Sequence, residues 1–200
     1  MNIITVDFET AYGGDLGFAK QTTEEYVRDE RFQVIGVAVQ VNDGEPEWFS
    51  GSHVEVYDFL KKFDWENSLA LAHNAAFDGA ILSWLWGIKP KGWLDTLSMG
   101  RALHGTEVGG SLKVLAEFYS LGEKGTEVHN FINYFRKDFN EEQLADYGSY
   151  CKNDVTLTWD LFNAMVAEGF PQTELRLIDL TIKMFTEPVL RLDADLLRHH

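Results

Sequence analysis

An α/β fold built on a mixed sheet is predicted by three features of the 200-residue sequence. A nearly continuous apolar run at residues 3–10 ends in charge. A hairpin signature follows at 32–50, and apolar segments then alternate between helix and strand periods. The first feature suits a central strand. The second makes the early sheet antiparallel, and the third calls for a crossover between parallel strands.

Taken in order, IITVDFET is the first strand, and its period of two turns Asp7 and Glu9 to one face and Val6 and Phe8 to the other, into the core. Behind a glycine-containing loop, Thr22 and Glu25 stand at capping-box spacing ahead of a short helix through YVRDERF. The β-rich run FQVIGVAVQV, turned by Asn42, Asp43 and Gly44, pairs with EPEWFS. From Val54 a helix (VEVYDFLKKF) leads to a short strand (SLALAH) and a second helix near 76–86, closed by Gly87 and Pro90. A brief strand at WLDT comes next, and 98–167 is expected to be helix with glycine-containing breaks. Beyond Pro171 the texture changes: TELRLIDLTIKMFT has helical periodicity, Pro188 interrupts it, and Leu196 and Leu197 need something to pack on. Two regions are expected, a body at 1–170 and a helical tail at 171–200.

Hydrophobic residues make up 45% of the chain and include six Trp and fourteen Phe, enough for a sizeable core. Acidic residues outnumber basic ones 32 to 17, a net charge of −15 that excludes duplex or membrane affinity resting on long-range attraction. A nucleic acid would have to bind locally, through metal ions and aromatic stacking. The single cysteine, Cys151, excludes an internal disulfide and cannot alone form a structural zinc site, so a reducing cytoplasmic setting is expected. With no basic leader and no run of about 18 apolar residues, no membrane partner is expected.

Asp7 and Glu9 in VDFET, Asp78 in HNAAFD, and Tyr150 and Asp154 in YCKND carry the chemistry. If the four carboxylates converge, they can hold two divalent cations roughly 4 Å apart, because hard cations take oxygen ligands whose charge offsets their own. Oxygen-only ligation favours Mg²⁺ or Mn²⁺ over zinc. Tyr150 and Asp154 are four apart in a helical stretch whose Leu144, Leu157 and Leu161 mark a buried side, so the two should project together. Asn74 and Asp78 share one face of a helix start, with Phe77 available for packing or base stacking; helix capping is the plain alternative.

Spacing alone is weak, since Asp64 and Glu66 repeat D-x-E and Tyr134 and Asp138 repeat Y-x₃-D. The bland reading of the D-x-E repeat is solvated charge in a loop. His73, His104 and His129 have no common ligand spacing, and Cys151 lacks an activating histidine. Trp84, Trp86 and Trp93 read as core, and the pairs Lys61–Lys62 and Lys89–Lys91 as solvated surface.

As a set, DFET, HNAAFD and YCKND resemble the three motifs of the DEDD 3′–5′ exonucleases, in the tyrosine-bearing subgroup. DFETAYGGDLG, VRDERFQVIGVAV, WLDTLSMGRAL and LTIKMFTEPVLRLD are similar, over nearly the whole chain, to the proofreading region of phage and bacterial family A DNA polymerases. The resemblance implies a ribonuclease H-like α/β fold, a mixed five-stranded sheet flanked by helices, with a tail leading toward a polymerase domain. It implies that Asp7, Glu9 and Asp154 hold one Mg²⁺ or Mn²⁺, that Asp7 bridges to a second ion served by Asp78, and that Tyr150 orients the attacking water. Asn74, Phe77 and the backbone near Thr10 would meet the terminal nucleotide, with Tyr12, Leu16 and Phe18 as candidates for an apolar wedge between bases. The implied substrate is a single-stranded or frayed DNA 3′ end, and the implied partner a DNA polymerase domain or subunit in a bacterium or phage-infected host. Two alternatives stay open: an exonuclease that trims RNA, and a non-catalytic interaction domain on the same fold.

Overall fold

The computed structural model describes residues 1–122 and 131–199. Five strands form one mixed sheet: β1 (Ile3–Thr10), β2 (Val34–Val41), β3 (Glu47–Phe49), β4 (Leu69–Ala72) and β5 (Gly92–Asp95), in the order β3-β2-β1-β4-β5. β1, β2 and β3 pair antiparallel, whereas β4 runs parallel to β1 and β5 parallel to β4. The hairpin predicted at 42–44 is present, with Asn42 in the left-handed region at φ 53°. The expected capping box of Thr22 with Glu25 opens α1 (Thr23–Val27), and a second one, Ser52 with Glu55, opens α2 (His53–Leu60).

Helices cover both faces of the sheet. On one face Ile4, Val6 and Phe8 of β1 and Val37 and Val39 of β2 pack with Val56, Phe59 and Leu60 of α2 and with Ala75 of α3 (Ala75–Ala80). On the other, Leu71 and Leu94 meet α4 (Thr96–His104), α5 (Leu112–Phe118) and the 27-residue α6 (Glu141–Ala167). α6 lies close on the sheet because two glycines make room for Trp48 of β3. A Cβ on Gly148 would sit 2.4 Å from the Trp48 ring, and one on Gly36 of β2 would sit 2.3 Å from it. That fit brings the buried stripe of α6 across β1 and β2.

Two expectations need correction. The helix expected near 76–86 is α3 followed by a π-helical turn, Ile81–Leu85; its bound matches, but the last turn is widened. Residues 98–167 are not helix throughout, since among the described residues 131–140 hold only the 3₁₀ turn Arg136–Asp138. This stretch is rich in aromatics: Phe131 and Phe139 pack on Tyr147, and Tyr134 on Phe131 and Phe139, instead of forming a periodic helical face.

At the C-terminal end, α7 (Gln172–Thr186) lies against the body. Asp179 Oδ1 accepts from the Trp93 N–H (2.8 Å), and Ser83 Oγ (2.8 Å) and Trp84 Nε1 (3.1 Å) donate to the Thr186 carbonyl. After Pro188 the chain is exposed, with Leu190 93% accessible, and α8 (Ala194–Arg198) buries no residue. Among the described residues no helix is long and apolar enough to cross a membrane.

Candidate active site

The site lies where the carboxyl ends of the neighbouring parallel strands β1 and β4 meet α6, the usual place for a ligand crevice in such sheets. β1 carries Asp7 and Glu9 on the face turned to α6, and a register shift between Glu9 and Thr10 kinks the strand just beyond them. Donor atoms of Asp7, Glu9 and Cys151 all lie within 4.8 Å of one another. The Cys151 thiol of α6 donates to Asp7 Oδ2 (3.2 Å) and stands 3.4 Å from the Asp7 carbonyl, fixing that carboxylate's orientation. Burial, then the negative charge of Asp7, pushes the Cys151 thiol's proton affinity up, so the sulfur serves as a donor and not as a thiolate.

Asp78 comes from α3, on another element, and is brought to the same place. Its Oδ1 accepts from the Phe8 N–H (3.2 Å), directly between Asp7 and Glu9 in sequence. Burial, followed by the charge of Asp7, raises the Asp78 pKa well above the usual carboxylate range. The α6 stripe completes the cluster. Tyr150 is raised by burial first and then by the charges of Asp154, Glu9 and Asp7, so its hydroxyl is neutral and able to donate at neutral pH. Asp154 is buried one turn further on, as expected from the four-residue spacing.

Asn74 departs from expectation: it is the residue before α3, in left-handed conformation at φ 72°, ψ 50°, and not part of the helical face with Asp78. Thr10 is buried at the end of β1, where the Tyr26 hydroxyl contacts its Oγ1 (2.8 Å) and donates to the Ala11 carbonyl (2.7 Å). Burial pushes Tyr26 up to about 12. Phe77 joins an aromatic group with Phe18 (4.9 Å between centroids) and Tyr26 (6.1 Å). Of the three wedge candidates, Phe18 is exposed, Tyr12 half-buried and Leu16 buried under its own loop.

The decoys stand apart. Asp64 and Glu66 are exposed, and Asp64 accepts from the Asn67 side chain (2.9 Å). Asp138 accepts from the Phe135 N–H (2.9 Å), while Tyr134 packs on Phe139. His73 is engaged with Thr96 Oγ1 (2.8 Å) and the Gly110 carbonyl (3.0 Å), a structural histidine; His129 lies outside the described residues.

Residue-by-residue reading missed Tyr147. Buried on α6, it stacks on Tyr150 (6.5 Å, 16° between planes), and its pKa is raised by burial and then by the charge of Glu9. The i, i+3 spacing from Tyr150 in DYGSY was the available signal.

Acidic groups from β1, α3 and α6 thus surround a neutral phenol at one end of the central sheet. A family model described as 3′–5′ exonuclease matches residues 4–169, and the chain belongs to that family. Its fold is the ribonuclease H-like one of the DEDD exonucleases. Brucella melitensis NrnC with bound Mg²⁺ is similar at 16% identity and TM-score 0.61, over 92% of this chain and 83% of that one. Trypanosoma brucei RNase D in complex with RNA U12 is similar at 17% identity and TM-score 0.68, over 96% and 67% of the two chains. The family B DNA polymerase of Pyrobaculum calidifontis matches at 16% identity and TM-score 0.56, over 92% of this chain and 25% of that one. No curated protein matches the sequence.

Proposed function

We propose that this exonuclease removes nucleoside monophosphates from single-stranded or frayed DNA 3′ ends, and that it proofreads for a DNA polymerase. Asp7, Glu9, Asp78 and Asp154 are the residues we assign to two divalent cations, Mg²⁺ or Mn²⁺. The donor set suits them: the clustered acidic oxygens of Asp7 and Glu9 and the buried Asp78 need positive charge to be accommodated as anions together. When bound, such ions make a water acidic enough to attack phosphorus and offset charge on the departing 3′ oxygen.

The chain's own groups then have separable tasks. Tyr150 keeps its proton and orients the attacking water, because a phenol with raised pKa is a poor base. Cys151 and Phe8 N–H hold Asp7 and Asp78 in register. Asn74, Thr10 and Phe77 contact the terminal nucleotide, and the helical tail at 171–200 resembles the connection to a polymerase domain.

The observation that carries the catalytic reading is the convergence of Asp7, Glu9, Asp78 and Asp154 from three separate elements. DNA is favoured by the sequence likeness to family A proofreading regions. A second reading, RNA trimming, is favoured by the likeness to an RNase D solved with RNA. Both are tested by 5′-labelled DNA and RNA oligonucleotides of one sequence, assayed with Mg²⁺, with Mn²⁺ and with chelator. The proposal expects stepwise shortening of the DNA and no turnover with chelator. Shortening of the RNA alone would replace DNA by RNA as the substrate.

A further inference from the structure

One buried carboxylate belongs to none of the site's assigned roles. Asp95, the last residue of β5, is 5% exposed and bonded at both oxygens. Its Oδ2 accepts from the Ser98 N–H (3.3 Å) and hydroxyl (2.6 Å). Oδ1 accepts from Leu97 N–H (3.1 Å), which with Ser98 makes Asp95 the N-cap of α4. A cap of α4 needs nothing more, yet Oδ1 also accepts from the N–H groups of Asn74 (2.8 Å) and Ala75 (3.3 Å) on the neighbouring β4–α3 turn.

That turn is the unusual piece of backbone beside the site. Asn74 adopts the left-handed region, uncommon outside glycine though tolerated by asparagine. It opens the helix that places Asp78 four residues later, about 6 Å along the axis. The next side chain in β5–α4 grips the same turn: Thr96 Oγ1 contacts the Ala72 carbonyl (3.4 Å) and His73 Nδ1 (2.8 Å). Two charge-assisted N–H bonds to one carboxylate oxygen orient the start of α3 more firmly than a neutral acceptor would.

We infer that Asp95 is a positioning residue for the exonuclease reaction: its carboxylate holds the Asn74–Ala75 turn and thereby sets Asn74 and Asp78 against β1. The inference rests on the role proposed for Asp78. Groups that orient metal-binding side chains from behind typically matter by about 10- to 100-fold in affinity or activity.

The test compares Asp95→Ala, Asp95→Asn and Asp78→Ala for kcat and KM on a single-stranded oligonucleotide, with Mn²⁺ binding followed by electron paramagnetic resonance and folding by circular dichroism. Ser52→Ala, which removes an exposed cap on α2, a helix that carries none of the residues assigned to the site, is the control for simple loss of a cap. Asp95→Ala is expected to lower kcat on the order of 10- to 100-fold and weaken Mn²⁺ binding while folded, with Asp95→Asn, which keeps an Oδ1 acceptor but not the charge, losing less of both. Ser52→Ala should leave kcat unchanged. A folded Asp95→Ala with normal kcat and Mn²⁺ affinity, beside an inactive Asp78→Ala, overturns the inference and spares the catalytic reading. An active Asp78→Ala overturns the reading itself. Should Asp95→Ala not fold, Asn74→Gly against Asn74→Ala decides, since both lose the same side chain and only glycine accepts the left-handed turn without cost. Higher kcat for the glycine variant supports the inference, and equal values overturn it.

Discussion

Two pairs of places in this molecule share a spacing and share nothing else. Asp7-x-Glu9 and Asp64-x-Glu66 are the same pattern, as are Tyr150-x₃-Asp154 and Tyr134-x₃-Asp138. The first of each pair sits on a long regular element packed into the body of the protein, so β1 and α6 aim their polar groups at each other across the sheet surface. The second sits on or beside a short 3₁₀ turn, where Asp64 and Asp138 serve neighbouring side chains or backbone in solvent. Spacing becomes a site when the element carrying it is long enough and buried enough to point its residues at a common volume.

That contrast is sharpest in single substitutions. Asp7→Ala should lower exonuclease turnover by about 10²–10³-fold or more with the fold retained, the scale seen when a principal charge-stabilising group is lost. Asp64→Ala should leave turnover within about twofold. Equal losses in the two variants, measured by mononucleotide release, would erase the distinction. Tyr150→Phe should slow hydrolysis by about 10–100-fold while metal binding by calorimetry is unchanged, whereas Tyr134→Phe should alter neither. Loss of metal affinity in Tyr150→Phe would mean that the phenol acts on the ions and not on water.

Stability probes extend the comparison to how closely α6 is pressed on the sheet. Gly148→Ala drives a methyl into the Trp48 ring and should cost about 1–3 kcal/mol in denaturant unfolding. Ser149→Ala, one residue on and exposed, should stay within about 0.5 kcal/mol. A smaller effect than that of Gly148→Ala concerns Tyr26, which ties Thr10 and Ala11 at the end of β1. Tyr26→Phe should lose about 0.5–1.5 kcal/mol at neutral pH. Because folding raises this phenol from its ordinary 10 to about 12, its stabilisation is complete below pH 10 and is lost as pH climbs through 12. The two proteins should therefore converge in stability in alkali; a constant gap across that range would contradict the shift.

Most of the framework was legible in the sequence because it is locally encoded. The β1 alternation, the Thr22–Glu25 capping box, the hairpin at Asn42 and the helical spacing of Tyr150 and Asp154 each need only a few adjacent residues, and each stands where expected. What escaped depends on partners far away in the chain. Nothing near Cys151 announces Asp7, 144 residues distant, and nothing near Asp95 announces the Asn74 turn. Tyr147 looked like any buried aromatic until β1 placed Glu9 beside it. The aromatic stretch at 131–139 defeated a helical reading because its rings pack on Tyr147 and each other, a tertiary choice that overrides local propensity.

Whether the four carboxylates share two cations is read from anomalous diffraction of crystals soaked in Mn²⁺. Two peaks are expected, bounded by Asp7, Glu9, Asp78 and Asp154, with Asp7 between them. Peaks at Asp64 and Glu66, or none among the four carboxylates, would contradict it.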